Sequence, residues 1–423
     1  MGMQVVVERC AGADVHQATL TVCLRLPGED GERIEELAEF GTTTPDLLAL
    51  ADWLLARGVT QLAMEGTGVY WKPVYYVLEE HVELWLVNAQ HVKSVPGRKT
   101  DVKDAAWLCR LLECGLLRKS FVPPRPIREL RDLTRYRKAL TRDRTAIVNR
   151  LHKVLEDAGV KLSSVASDVL GASGRRMLEA LVAGTSDPDA LAELAKGRLR
   201  QKLPQLRKAL SARFREHHAF LVGQMLGQLD QLEAAIQALS DRIAAQLVPE
   251  EASVQVLCSI PGVHRRTAEV VIAEIGTDMS RFPTARHLAS WAGICPGNNE
   301  SAGKHKHGRI TRGSPWLRTA LVEAALAACR VPGDLQSLHR RVRARRGNHR
   351  AIIAVAHALL VIIHRLLTTG ELFVEPSTEL IRQRRAEHLL RRAIRQLERL
   401  GQRVSVATDG STVIQPAPAG GIS

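Results

Sequence analysis

Asp14, Glu65, Asp101 and Asp104 are four carboxylates within a stretch whose hydrophobic pattern suits a small α/β domain. Asp101 and Asp104 are three residues apart, so on a helix they share one face. Four carboxylates gathered at a sheet edge repel one another and need cations. Oxygen-only donors suit Mg²⁺. Two such ions can flank a phosphate and stabilise the attacking and leaving oxygens. Each carboxylate taken singly also has a structural reading, since Asp recurs at strand ends and helix N-termini. Asp101 competes with Thr100 for the helix N-cap. Lys93, Arg98, Lys99 and Lys103 surround the Asp pair. They read equally as cations holding phosphates or as a solvated helix face.

A second constellation lies far along the chain. Ser301 follows the stretch Trp291–Gly297 and precedes a basic run of Lys304, His305, Lys306, His307, Arg309 and Arg312, with Arg318 beyond. A serine in a flexible loop among cations could attack phosphorus, the cations offsetting charge on the phosphoryl oxygens. Loop serines are common and mostly inert, so sequence chemistry alone does not single this one out. Cys295, His305 and His307 match no standard zinc spacing. Pro261-Gly262 opens onto a helix expected over 265–275. It presents backbone N–H groups as an anion site similar to a helix-hairpin-helix phosphate clamp.

The elements that must position these residues follow from periodicity. Gln4–Ala13 with Thr19–Leu26 reads as a hairpin and Ile34–Phe40 as a third strand. A helix over Pro45–Ala56, a strand over Gln61–Met64, a helix over Val69–Glu80, a strand over Val82–Val87 and a helix over Thr100–Cys114 follow. Periodicity gives an α/β domain with a mixed sheet; adding the carboxylates makes it ribonuclease H-like. Pro123-Pro124-Arg125-Pro126 is a linker. After it, Leu133, Leu140, Ile147 and Val154 are spaced by seven, but Arg137 and Arg144 occupy companion seam positions. Val222, Met225, Leu229, Leu232, Ile236, Leu239 and Ile243 alternate spacings of three and four, the pattern of a coiled coil. The two helices pair with each other or with another subunit. The expected domains are 1–122, 123–250 with an insertion at 159–215, 251–370, and 371–423. The last holds a basic helix bearing Arg382, Arg384, Arg385, Arg391, Arg392 and Arg395, then a disordered end containing Pro416, Pro418, Gly420 and Gly421. The fold class is therefore α/β plus all-α.

Composition narrows the function. The 423 residues carry a net charge of +14. Residues 1–125 hold more Asp and Glu than Lys and Arg, so the positive excess lies after them. That division suggests metal or catalysis first and polyanion binding after, with nucleic acid the leading partner. Aromatic residues are only 4%, which argues against a surface built mainly of base-stacking platforms. No apolar run reaches the roughly 18 residues of a membrane span; Ala351–His364, between Arg350 and Arg365, reads as a buried helix. No secretory signal is expected, and seven cysteines without a C-x-x-C pair read as reduced cytosolic thiols. No P-loop motif is present, so no ATP requirement is expected.

These landmarks resemble the DEDD transposases of insertion sequences, serine-dependent recombinases guided by a bridge RNA. The strand motif stands as Gly12-Ala13-Asp14-Val15, and E-x-T-G-x-Y as Glu65, Thr67, Gly68 and Tyr70. K-T-D-x-x-D-A stands as Lys99 to Ala105. Farther on come Ile260-Pro261-Gly262, Gly293 to Pro296, Ser301 to Gly303 and Leu317-Arg318. The likeness covers roughly residues 5–158 and 216–370. It implies a RuvC-like first domain in which Asp14, Glu65, Asp101 and Asp104 bind Mg²⁺, and a helical transposase domain in which Ser301 forms a phosphoserine with DNA. It implies donor DNA, target DNA and guide RNA as partners, a dimer or tetramer, and a prokaryotic cytoplasmic, nucleoid-associated location without a membrane. Lys99, Lys103, Lys304, Lys306, Arg309, Arg312 and Arg318 are the candidate nucleic-acid contacts. Two departures stand out: Ala302 separates Ser301 from Gly303, and His16-Gln17 replaces the usual Ser-Lys after the first Asp. A Holliday-junction-type endonuclease using water would need the carboxylates but not Ser301. A non-enzymatic basic scaffold would need neither.

Overall fold

The computed structural model describes residues 4–28, 31–66, 68–88, 92, 104–295, 300–301, 304–305 and 313–375, short pieces between 386 and 398, and 402–406 and 412–416. The chain divides into two compact units, Met1–Pro123 and Pro124–Ser423.

The first unit is a five-stranded mixed sheet with helices. Its elements are β1 (Cys10–Val15), β2 (Thr19–Pro27), β3 (Arg33–Gly41), α1 (Thr44–Ala56), β4 (Gln61–Glu65), α2 (Trp71–Leu78), β5 (Glu83–Val87) and α3 (Asp104–Glu113). The strand order is β3-β2-β1-β4-β5. β1 pairs antiparallel with β2 and parallel with β4; β2–β3 is antiparallel and β4–β5 parallel. Alternation along the strands serves two cores. Ala11, Ala13, Leu62 and Met64 face α1 and α2. Cys10, Ala63 and Val87 face α3, against Ala105, Leu108, Cys109 and Leu112.

The second unit is helical over most of its described length. α4 (Arg125–Asp157) starts at the Pro-rich linker, and Pro126 falls in its first turn, where a missing N–H costs nothing. It returns through α8 (Glu216–Gln246). Of the two pairings open to the sequence, the structure has the one within the chain. Gln246 donates to the Pro126 carbonyl, Ser240 lies 3.4 Å from Arg137 and Glu233 2.8 Å from Arg144, so the helices run antiparallel. The seam arginines are thus satisfied across the pair. Arg137, 4% exposed, also donates to Glu269 at 2.7 Å. Residues 159–215 form α5 (Ala172–Val182), α6 (Pro188–Glu193), α7 (Leu203–Leu210) and short 3₁₀ turns. Their apolar faces close over Ile147, Leu151, Leu155, Val222, Leu226 and Leu229 at the tip of the helical pair.

The chain continues through α9 (Glu251–Cys258), α10 (Arg265–Ile275), α11 (Ala285–Trp291), α12 (Pro315–Ala328), α13 (Asp334–Arg346) and α14 (Asn348–Thr369). Contrary to the expectation that no span is long enough, α14 is, by length and composition, apolar enough to cross a membrane. The apolar stretch read from the sequence gains a turn at either end as helix. Its Ala351, Val355, Leu359, Ile363 and Leu366 form one stripe at helical spacing, buried in this unit. A correction also applies to the end of the chain. Gln402–Val406 (β8) and Thr412–Pro416 (β9) pair as an antiparallel hairpin rather than lying in a disordered tail. Val404, Val406, Val413 and Ile414 supply the β-branched residues that favour strands, and Pro416 sits at a strand end where its missing donor is tolerated. The arginines of the expected basic helix lie outside the described residues.

Candidate active site

Three of the four carboxylates lie in the described part of the first unit. Asp14 is near the end of β1, and β1 pairs with β4 in the register Ala13↔Met64. Continuing that register sets Asp14 beside Glu65, one strand spacing of about 4.8 Å away. By alternation both belong with Cys10, Gly12 and Ala63, on the face that α3 covers. Asp104 is in the first turn of α3. A cleft of about 440 Å³ is lined by Asp14, His16, Thr21, Glu39, Asp104 and Ala105. Sheet register and helix placement together therefore bring Asp14 and Asp104 to one opening, with Glu65 on the neighbouring strand. Asp101, Lys93, Arg98, Lys99 and Lys103 lie outside the described residues.

Two features hold α3 in place. At Gly12 a Cβ would stand 2.3 Å from the Ala105 carbonyl oxygen and 2.4 Å from the Cys109 nitrogen. Only glycine lets the helix backbone come this close to the strand. At the other end of α3, the buried Glu113 carboxylate accepts from Arg25 Nε at 2.9 Å and from Arg33 Nε at 2.7 Å. These bonds tie the helix to β2 and β3. Between the two anchors, Cys10 Sγ and Cys109 Sγ approach to 3.7 Å inside the core.

Sequence reasoning assigned no role to His16 or Glu39. His16 Nε2 lies 3.3 Å from Asp14 Oδ2. Glu39 shares a cross-strand row with Thr21 and Asp14. Its only sequence signal is a position on an alternating edge strand, which also describes an ordinary solvated glutamate. The donor set is all oxygen apart from His16, which suits Mg²⁺. Among the described residues no three His, Cys, Asp or Glu side chains stand close enough to form a complete metal site.

Ser301 lies in the second unit. It sits in a two-stranded hairpin, β6 (Glu300–Ser301) with β7 (Lys304–His305), where Ser301 is the cross-strand partner of Lys304. The serine thus stands on paired strand backbone and not on an unpaired loop residue. Lys306, Arg309 and Arg312 lie outside the described residues. The segment is pinned at its base. A Cβ at Gly313 would fall 2.4 Å from the Ala292 oxygen and the Gly293 nitrogen, and Gly293 has φ +66°. Arg318 reaches back to the Gly313 carbonyl at 3.5 Å. Ser314 caps α12, accepting from Leu317 N and donating to buried Glu274 at 2.9 Å. Glu274 is in turn held by Arg135 in two bonds of 2.8 and 3.0 Å.

The Pro261-Gly262 turn is a packing point. Gly262 has φ +84°, and a Cβ there would stand 2.5 Å from Ala324 O and Ala328 N of α12. The glycine serves close helix packing.

Two family models match the chain. One, for DEDD transposases of the IS110 type and described as "Transposase", covers residues 11–159. The other, "Transposase IS116/IS110/IS902 family", covers residues 254–340. The chain is 29% identical over 273 residues to a "Probable family 20 transposase" of Pseudomonas aeruginosa, covering 64% of this chain and 71% of that protein. It is 28% identical over 297 residues to the "Transposase for insertion sequence element IS1111A" of Coxiella burnetii, covering 68% and 72%. A "Pilin gene-inverting protein" of Moraxella bovis is 31% identical over 121 residues, 28% of this chain and 37% of that protein. One model falls on the carboxylate-bearing unit and the other on the helices around the serine hairpin, and together they account for more than half of the sequence; the chain belongs to the IS110 family of transposases, which are DNA recombination enzymes.

Proposed function

We propose that this transposase cuts and rejoins the DNA of its insertion sequence through a phosphoserine at Ser301, with Asp14, Glu65, Asp101 and Asp104 as the Mg²⁺-binding set. A bridge RNA pairs with donor and target DNA, so that base pairing reads sequence and the protein reads backbone and shape. The observation that carries this reading is the β1–β4 register. It sets Asp14 beside Glu65 under the helix whose first turn holds Asp104. The strand order β3-β2-β1-β4-β5 supports a ribonuclease H-like, RuvC-like domain. The protein acts as a dimer or tetramer in the prokaryotic cytoplasm, at the nucleoid.

Asp14, Glu65 and Asp104, with Asp101, would hold the metal. When bound, Mg²⁺ supplies charge stabilisation to the scissile phosphate oxygens. The serine Oγ attacks phosphorus; the Oγ–P bond forms as one P–O ester bond of the strand breaks. The departing oxygen takes a proton and becomes a free hydroxyl. A hydroxyl of the partner strand then attacks the same phosphorus, and serine leaves with a proton. One ester is exchanged for another at each step, so no ATP is needed. Lys304, Lys306, Arg309 and Arg312 neutralise the phosphate as charge builds, and Lys99 and Lys103 do so beside the carboxylates. Arg318 holds the neck of the serine segment through the Gly313 carbonyl.

The test is adduct trapping. Protein, Mg²⁺, RNA transcribed from the flanks of the gene and labelled DNA are mixed, and denaturing gels compare wild type with Ser301→Ala and Asp104→Ala. A DNA–protein adduct lost in both variants is the expected result. Cleavage without an adduct, persisting in Ser301→Ala, would replace this mechanism with a water-using, junction-resolving nuclease.

A further inference from the structure

Inside the second unit, α4, α10 and α12 enclose a cavity of about 550 Å³. That is within the usual range for a small-ligand site. Trp316, in the first turn of α12, lines it and is half-buried. The Arg135 guanidinium sits 5.7 Å from the indole centroid and is fixed there by its paired bonds to Glu274. Lys138 is paired with Glu323 at 2.7 Å. Arg142 on α4 and Arg266 in the first turn of α10 also line the cavity, and both are exposed. Neither makes a hydrogen bond or ion pair to another described residue. The cavity thus combines a largely apolar interior, a braced aromatic ring and two unneutralised guanidinium groups. Trp316 follows Gly313, the neck of the serine segment, by three residues.

We propose that this cavity receives a single unpaired nucleotide of the bound nucleic acid. The base lies against Trp316, and its phosphate lies on Arg142 and Arg266. A planar ring with a flanking anion matches both halves of the site. A free carboxylate or phosphate would leave the apolar interior unused, and an aliphatic side chain would leave the two arginines unused. A protein of net charge +14 also meets polyanions preferentially. Base–aromatic stacking tolerates any sequence, so the pocket captures an extrahelical nucleotide without reading its identity. This inference rests on the family's action on DNA and is independent of the serine chemistry.

The experiment is binding of full-length protein, without divalent cation, to single-stranded oligonucleotides carrying 2-aminopurine, one series DNA and one RNA. Wild type should quench the probe. Trp316→Ala should weaken binding about tenfold and restore fluorescence, and Trp316→Phe should retain most of both. Arg142→Ala and Arg266→Ala should each lower the salt slope of log Kd by about 0.7. Loss in only the DNA series assigns the nucleotide to DNA, in only the RNA series to RNA, and in both to either strand; all three support the pocket. If Trp316→Ala misfolds, the two exposed arginines and Trp316→Phe carry the test. Wild-type affinity and quenching in all variants would overturn the proposal. So would an equal loss by Trp316→Ala on a fully paired duplex. Strand transfer is not read, so failure here leaves the phosphoserine mechanism standing.

Discussion

Replacing Gly12 with alanine separates the positioning of the carboxylates from their chemistry, because no charge or donor changes. The added Cβ would lie 2.3 Å from Ala105 O, 2.4 Å from Cys109 N and 2.9 Å from Cys109 Cα, all backbone atoms of α3. Ordinary contact needs about 3.5 Å, so α3 must withdraw by about 1 Å. It cannot simply slide, because Glu113 ties its far end to Arg25 and Arg33. The movement therefore concentrates at the end carrying Asp104. Overpacking of this kind costs about 1–3 kcal/mol of stability. A displacement of about 1 Å at a catalytic centre can cost on the order of 100-fold in rate. The assay is adduct formation at saturating Mg²⁺ and over a Mg²⁺ titration, with thermal unfolding alongside. Gly12→Ala should stay folded, form adduct far more slowly and need more Mg²⁺. A variant with wild-type rate and Mg²⁺ requirement would show that the close approach of strand and helix does not set the site's geometry.

Three further outcomes follow from features of the helical unit. Gly227 is an exposed position inside α8 with no atom within 4 Å of a built Cβ, so Gly227→Ala should raise its unfolding free energy by about 0.5–1 kcal/mol in urea. Arg137→Met leaves Glu269 buried with, among the described residues, only Arg265 Nε at 3.3 Å as an ionic partner; it should cost about 3 kcal/mol, and adding Glu269→Met should recover most of the loss. A silent single variant would refute that assignment. Burial holds the His357 imidazole of α14 below its ordinary value of 6.5. As pH falls below about 6.5 the unfolded chain takes up the proton first, so stability declines toward the folded value. His357→Gln should flatten that decline in urea melts between pH 7.5 and 5.5, and an unchanged slope would refute it.

The parts legible in the sequence are those fixed by local periodicity. Strands β2 to β5 lie close to their expected positions because alternation and short apolar runs mark them directly, whereas β1 runs Cys10–Val15 and not from Gln4 as expected. The three- and four-residue spacing on α8 likewise gives its buried stripe. What was hidden depends on distant partners. Arg137 and Arg144 look like defects in a seam until Glu269, Ser240 and Glu233 appear opposite them. The packing demand on Gly262 is invisible until Ala324 and Ala328 of α12 occupy the space beside it. Of the site, residue types and order suggest the carboxylates, but only the sheet register sets Asp14 beside Glu65. His16 and Glu39 carry no signal distinguishing them from solvated neighbours.

The segment that closes the tip of the α4–α8 pair enters and leaves at one place. Lys161 N donates to Ala209 O at 2.9 Å and Arg213 N to Ala158 O at 3.0 Å. Such a neck makes the segment a cassette: it can be gained, lost or exchanged as a block without rethreading the rest of the chain. Its removal is conditional, however, because it packs over the apolar tip residues Leu151, Leu155 and Val222. Lineages lacking the cassette should therefore carry polar residues at those three positions or cover them with another subunit. The same coupling makes this tip the natural place to graft a foreign module onto the transposase.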